Sequence, residues 1–236
     1  MTQELLASAA QLRGNAQDLR RQARAETDAE ARTAKFTQAA DEFRKASVML
    51  QRGLRSLRRE QTGHTAEVCR VLEALSQTLG SLGGTYRDAG KHAEAKDYYD
   101  MGNQYEDERR KNCAAEDTYN MLQRLVVRLL IDPSQLADSD FAREMAAAAQ
   151  EIELQVKRGR NDSWALADLA LVKLLTGVNA EKVIADLEGG RAESTFYEST
   201  YNAVAALLAE GLGKGDALGD RLEGFKRLLQ RKGGLA

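Results

Sequence analysis

A single proline interrupts the 236-residue chain. Proline removes a backbone donor and breaks helices. Its near-absence, alongside abundant Ala, Leu, Arg, Glu and Gln, leaves room for long helices. Valine, isoleucine and threonine are sparse, and no stretch alternates apolar and polar residues convincingly over six positions, which argues against a sheet. The expected fold class is therefore all-α. No apolar run approaches the roughly 18 residues of a membrane span, so no membrane partner is expected. Met1-Thr2-Gln3-Glu4 offers neither a basic start nor a long apolar core, so it does not read as a secretory signal and a cytoplasmic protein is the expectation.

Charge of one sign is also missing. The formal net charge is −2, from 34 Lys and Arg against 36 Asp and Glu, which argues against a general binder of nucleic acid. Arg52, Arg55, Arg58 and Arg59 crowd one segment. No aromatic residue interleaves with them, so they read as the solvated face of a helix. The two cysteines, Cys69 and Cys113, and the two histidines, His64 and His92, lack metal-ligand spacing. Cys69 stands among Val68, Val71 and Leu72 and reads as a buried, reduced thiol.

Catalytic signatures are absent too. Gly80-Ser81-Leu82-Gly83-Gly84 is glycine-rich but follows no strand, so it is not a phosphate loop. There is no G-x-S-x-G nucleophile elbow. Glu106-Asp107-Glu108 and Glu116-Asp117 lack EF-hand spacing and read as solvated charge. His92 opens a helix without an evident acid partner. No enzyme, metal or cofactor is expected.

What is present is helical periodicity. Residues 3–25 carry a stripe of Leu5, Leu6, Ala9, Leu12 and Leu19. Thr27 or Asp28 caps a second helix to about Arg59, with Phe36, Ala39, Ala40, Phe43, Ala46, Val48, Met49 and Leu50 toward the core. Thr65 caps a third helix that Gly90 stops. A fourth begins near His92, and its apolar pattern lapses at Glu106 to Lys111. Tyr119 to Ile131 is strongly apolar and ends at Asp132-Pro133. Asp138 or Ser139 opens the next helix, to about Lys157. Trp164 to Thr176, Glu181 to Leu187 with Asn179 as cap, Thr195 to Glu210 and Asp216 to Gln230 follow. About ten helices in hairpin order make an α-solenoid.

One segment carries a more specific pattern. Leu79-Gly80, Leu82, Gly83, Tyr86, Gly90, Ala95 and Tyr99 are spaced as in the tetratricopeptide repeat, a helix–turn–helix unit of about 34 residues, and residues 76–109 resemble one such repeat. The resemblance implies that Leu79, Leu82, Gly83, Tyr86, Ala95 and Tyr99 are packing positions, with Gly83 and Ala95 small for close helix approach. Gly102, where alanine is usual, and Asp107, where proline is common, depart from it. Ala39, Phe43 and Ala46 form a half match, and Trp164, Ala167, Leu171 and Ala180 a weaker one. The implied organisation is one array over 1–236: a degenerate hairpin at 1–62, the best repeat at 65–110, a divergent hairpin at 112–158 and degenerate repeats at 161–236. A looser resemblance over roughly 90–210, to bacterial repeat proteins of the TRAF-binding-domain type, rests on Tyr99-Asp100-Met101-Gly102, Tyr119 to Leu125 and Trp164 to Ala167. It implies a regulatory or adaptor role beside an effector such as a caspase-like protease.

A repeat unit cannot bury its apolar face alone and stacks into a concave surface. By resemblance, Gln77, Gly80, Gly84, Arg87 and Asp88 face that groove, and Lys173 occupies a comparable place in the degenerate unit. Arg87 is then suited to a partner's carboxylate. The function expected is a protein–protein interaction module that binds another protein or peptide. The alternative is a solenoid that curls round a small molecule or nucleotide. Leu218, Leu222, Phe225, Leu228 and Leu229 on the last helix need a cover, which leaves a homo-oligomer open.

Overall fold

The computed structural model describes residues 2–60, 63–115, 117–158, 162–177, 180–189 and 197–234. Among the described residues ten α-helices follow one another: α1 (Thr2–Ala25), α2 (Ala29–Glu60), α3 (Ala66–Asp88), α4 (His92–Asn112), α5 (Tyr119–Ile131), α6 (Ser139–Lys157), α7 (Asp162–Leu175), α8 (Glu181–Gly189), α9 (Glu198–Ala209) and α10 (Ala217–Gly233). A short 3₁₀ turn, Pro133–Ala137, separates α5 from α6. No strand occurs among the described residues. The helices pack in neighbouring pairs, as in a helical solenoid. The chain forms two compact units, Met1–Val127 and Arg128–Ala236, and the division falls inside α5.

In the first unit α1 pairs with α2, α3 pairs with α4, and α2 packs on α3. The helix boundaries have local causes. The Asp28 carboxylate accepts from Ala31 N at 2.7 Å and caps α2. Thr65 Oγ1 accepts from Val68 N at 3.3 Å and caps α3, with Glu67 in its first turn. α3 stops where Gly90 turns left-handed at φ 72°, a conformation glycine adopts without steric cost. Lys91 N then reaches back to Tyr86 O at 2.9 Å.

On α1 the stripe is most buried at its alanines, with Leu5 and Leu6 packed beside them against the core. Ala9, Ala16 and Ala23, seven apart, are its buried residues, so one face of small side chains lies closest to its neighbours. Leu5 tucks onto Gly53 of α2, where an added Cβ would stand 2.1 Å from the leucine methyl. α2 buries Phe36, Ala39, Ala40, Phe43, Ala46, Leu50, Leu54 and Leu57 at helical spacing. Val48, read as a core residue, is instead 44% exposed.

Two expectations are corrected in this unit. The polar stretch from Glu106 to Lys111 is not solvated charge throughout, since α4 runs on to Asn112 and buries both Glu106 and Arg109. Cys69 is not a reduced core thiol: it is half-buried and bonded to Cys113, with Cα atoms 5.8 Å apart. The bond joins the first turns of α3 to the residue that follows α4, and so closes the open end of that hairpin.

The second unit pairs α6 with α7, α7 with α8 and α9 with α10. Phe141, Met145, Ala148 and Ile152 of α6 are buried, and Thr200 of α9 donates to the buried Asp168 of α7 at 2.8 Å. Asp138 and Asp216 cap α6 and α10. The apolar set of α10 already has a cover: Leu222, Phe225, Leu228 and Leu229 are buried, Leu218 is half-buried, and the helix packs on α7, α8 and α9. The expected caps and breaks at Gly159 to Asn161, Asn179, Gly190 and Thr195 lie outside the described residues.

Candidate functional site

The groove positions of the best-matching repeat lie on α3, and the structure covers all but one. Arg87 is only 3% exposed. Gly80 is closed by Tyr119 and Asn120 of α5, and Gly84 by the Arg20 guanidinium of α1. The Asp88 carboxylate is held by arginines of α1. Gln77 alone is exposed, accepting from Arg13 at 3.0 Å. Side chains of this same chain thus occupy the face that the repeat resemblance assigns to a partner at Gly80, Gly84, Arg87 and Asp88. In the second unit, Lys173 pairs with Glu153 at 2.8 Å, and Trp164 is half-buried. Leu79, Leu82, Gly83, Tyr86, Ala95 and Tyr99 are all buried. The Tyr99 ring lies on Gly83, and Tyr86 stacks on Tyr98 with centroids 5.3 Å apart.

Arginine clusters around α3 in consequence. Arg20 Nε and Arg24 Nε each donate to Asp88 Oδ2 at 2.8 Å, and their terminal nitrogens lie 2.7 and 2.6 Å from the same oxygen. Arg87 lies 3.4 Å from Asp88 Oδ1 and donates to Gln123 Oε1 of α5 at 2.5 Å. Burial pushes the Asp88 carboxyl up, but Arg20, Arg87 and Arg24 overcome it and hold it well below the usual carboxylate range. Three enclosed polar atoms near Arg87 have no partner: its own Nε, Gln123 Nε2 and the Tyr99 hydroxyl. Burial and the Tyr119 hydroxyl keep the Tyr99 phenol well above its ordinary range, hence protonated.

A second buried polar group fixes the start of α5. Glu106 of α4 accepts from Asn120 N at 2.8 Å, Asn120 Nδ2 at 2.6 Å and Met121 N at 3.2 Å. It therefore satisfies N–H groups that a helix start leaves open. Burial and the charge of Asp117 push its carboxyl well up. Asn120 wedges between α3 and α4, donating also to Ser76 O at 3.1 Å. An added Cβ at Gly80 would stand 2.7 Å from Asn120 Oδ1, and at Gly102 2.5 Å from the same atom. The departure from alanine at position 102 thus has a cause in the α5 side chain that fills the space. Gly102→Ala is expected to lose about 1–3 kcal/mol through overpacking, although alanine is the better helix former by about 1 kcal/mol. Gly14→Ala, in open space on α1, is expected to gain about 0.5–1 kcal/mol. Urea unfolding of the two variants checks this, and opposite signs are the expected outcome.

One exposed face lies on α2. Asp41, Lys45, Val48, Arg52, Arg55 and Arg59 are all exposed, and their alternating spacing of four and three places them on one helix face. Asp41 pairs with Arg44 and Lys45 with Glu42. Arg58, off this line, is bound to Glu108, which His64 also approaches at 2.7 Å. Arg52, Arg55 and Arg59 make no ion pair among the described residues. No group of three His, Cys, Asp or Glu able to hold a metal occurs among the described residues, and no helix there is long and apolar enough to cross a membrane.

Sequence reasoning missed Arg20, Arg24, Gln123, Asn120 and Glu106. Their partners lie 14 to 68 residues away in sequence, beyond any local pattern. No known family, curated protein or solved structure matches the chain.

Proposed function

We propose that the protein is a non-catalytic interaction module that docks an acidic helix of a partner protein along the exposed face of α2. One observation carries the reading: Val48, Arg52, Arg55 and Arg59 form an exposed line with the spacing of a helix-pairing seam, and its three arginines are unpaired among the described residues. Guanidinium groups bind carboxylates bidentately, and a helix with acidic residues three and four apart presents them at the matching pitch. The tetratricopeptide-like spacing supports an adaptor role, with the docking face moved from α3 to α2. The expected outcome is loss of a partner captured from native-host lysate when Arg52, Arg55 and Arg59 are all changed to Glu, with helicity unchanged by circular dichroism. Gln77→Glu, on the remaining exposed position of the expected groove, leaves capture intact. Capture indifferent to the triple reversal but lost in Gln77→Glu would return the interface to α3.

A second reading, a solenoid that encloses a small molecule, is favoured by a separate observation: basic and aromatic side chains converge at Arg87. Native mass spectrometry of the protein purified from its host tests it, since a stoichiometric low-mass adduct is expected on this reading alone.

A further inference from the structure

We propose that Cys113 is a site of reversible S-thiolation, at which a low-molecular-weight thiol bearing carboxylates opens the Cys69–Cys113 bond and remains on Cys113. The site is independent of the α2 interface and of the ligand-sensing reading.

The bond lies at the surface end of the α3–α4 hairpin. Both cysteines are half-buried, Asn112 and Ala114 on either side of Cys113 are exposed, and so is Arg70 next to Cys69. Cys69 Sγ lies 4.0 Å from the backbone oxygen of the exposed His64, and Cys113 rests against the edge of the core. The two sulfurs are not equivalent. Exchange is faster when the departing sulfur is stabilised as a thiolate. Cys69 is the fourth residue of α3, in the turn that Thr65 caps, where the positive end of the helix dipole favours a thiolate. Cys113 follows the last turn of α4, its N–H donating to Arg109 O at 2.7 Å, and so stands at the negative end of that helix. Cys69 is therefore the better leaving group and Cys113 the sulfur attacked. The incoming thiolate forms a bond to Cys113 Sγ, the bond between the two cysteine sulfurs breaks, and Cys69 departs with the electron pair. The incoming sulfur is oxidised to the disulfide level as the Cys69 sulfur is reduced, so the thiol itself is the reductant. Return attack by Cys69 on Cys113 Sγ expels the small thiol and closes the bond again.

Two neighbours of Cys113 favour the thiolated form. Ala114 has φ 50°, and among the described residues no other non-glycine has a positive φ. A Cβ makes that conformation costly. The chain there is held between the bond at Cys113 and the oxygens of Asp117, which accept from Arg110 at 2.5 Å and from Arg109 at 3.3 Å. Opening the bond frees one of these two ends, and Ala114 can relax. Lys111, two residues before Cys113, is exposed and makes no ion pair among the described residues. Its ammonium draws a thiol that carries carboxylates toward the attacked sulfur.

The test uses the oxidised full chain, incubated without oxygen in reduced glutathione or, for comparison, in uncharged 2-mercaptoethanol. Samples are quenched with N-ethylmaleimide and mapped by peptide mass spectrometry. The expected species carries glutathione on Cys113 and maleimide on Cys69, and forms at a rate proportional to thiol concentration. Removal of free glutathione is expected to restore the intact bond. Lys111→Glu is expected to lower the ratio of the glutathione rate to the 2-mercaptoethanol rate about threefold at low salt, an effect that high salt screens out. Because both thiols act on the same variant, a change in its stability cancels from the ratio. Glutathione found mainly on Cys69 overturns the assignment of the attacked sulfur. A rate that stops rising with thiol concentration shows that the bond opens only after the chain unfolds, and overturns the site. A ratio unchanged in Lys111→Glu overturns the preference for a carboxylate-bearing thiol.

Discussion

Asp88→Asn unfolds the first unit at a markedly lower temperature than the parent chain. Asparagine keeps the shape and one acceptor oxygen, so the substitution isolates the charge. Arg87, with its side chain almost wholly enclosed, and Arg20, largely so, then remain inside the unit with their shared anion removed. Breaking a buried ion pair by deleting one partner costs about 3–5 kcal/mol, because the surviving charge is left uncompensated. For a unit of this size that corresponds to a fall of roughly 10–20 °C in Tm. Arg24→Gln removes a more exposed guanidinium from the same carboxylate and is expected to cost about 1 kcal/mol, so the ranking of the two variants is itself informative.

The same carboxylate shapes the acid limb of stability. Its folded pKa lies well below its unfolded value, so the unfolded chain takes up the proton first as pH falls. The contribution is complete above the ordinary carboxylate range, near pH 4, and is lost progressively below it. Asp88→Asn should therefore lower stability at pH 7 and flatten the decline between pH 4 and pH 2. Denaturant titrations at several pH values would decide it. An unchanged acid limb would mean that Asp88 exchanges its partners for water at little cost.

Much of α3 is legible in the sequence because its determinants are local. Thr65 and Gly90 set its ends through contacts no more than a few residues away. The small residues at 80, 83, 84 and 102 announce that something approaches closely. They do not say what: Asn120, Tyr99 and Arg20 arrive from other helices. Arg87 reads as a groove-facing charge and Glu106 as a solvated one because a charged residue on a helix is usually exposed. Their burial depends on acceptors and donors from α1 and α5, and pairings over such separations leave no periodic trace. The exposed face of α2 shows the converse. Its arginines read correctly as exposed, but Val48 shares their line, and only its exposure shows that the line is not purely solvating.

The Cys69–Cys113 bond is the second large contribution, and it too was hidden, since two cysteines 44 positions apart carry no spacing signal. Closing a loop of that length removes conformational freedom from the unfolded chain worth about 4 kcal/mol on the chain-entropy account. The α3–α4 hairpin is tied by the Gly90 turn at one end and by this bond at the other. Cys113→Ser is expected to lower the Tm of the first unit by roughly 10–20 °C, and reduction of the parent chain should reproduce the loss. The double variant, Cys69→Ser with Cys113→Ser, should be no worse than either single one, because both remove the same tether. Hydrogen exchange adds a positional test. The last turns of α4 hold Glu106, which satisfies Asn120 and Met121, and Glu108, which holds Arg58 and His64. Amides of residues 106–112 and 120–122 should therefore lose protection together on reduction, while those around Gly90 keep theirs. Disulfides persist where thiols are not actively kept reduced. In a reducing cytosol the chain would thus hold its fold with the smaller margin of the dithiol form, and the position of α5 would follow the redox state of the two cysteines. Parent chain and Cys113→Ser with equal Tm and equal protection would show that the hairpin is held by packing alone.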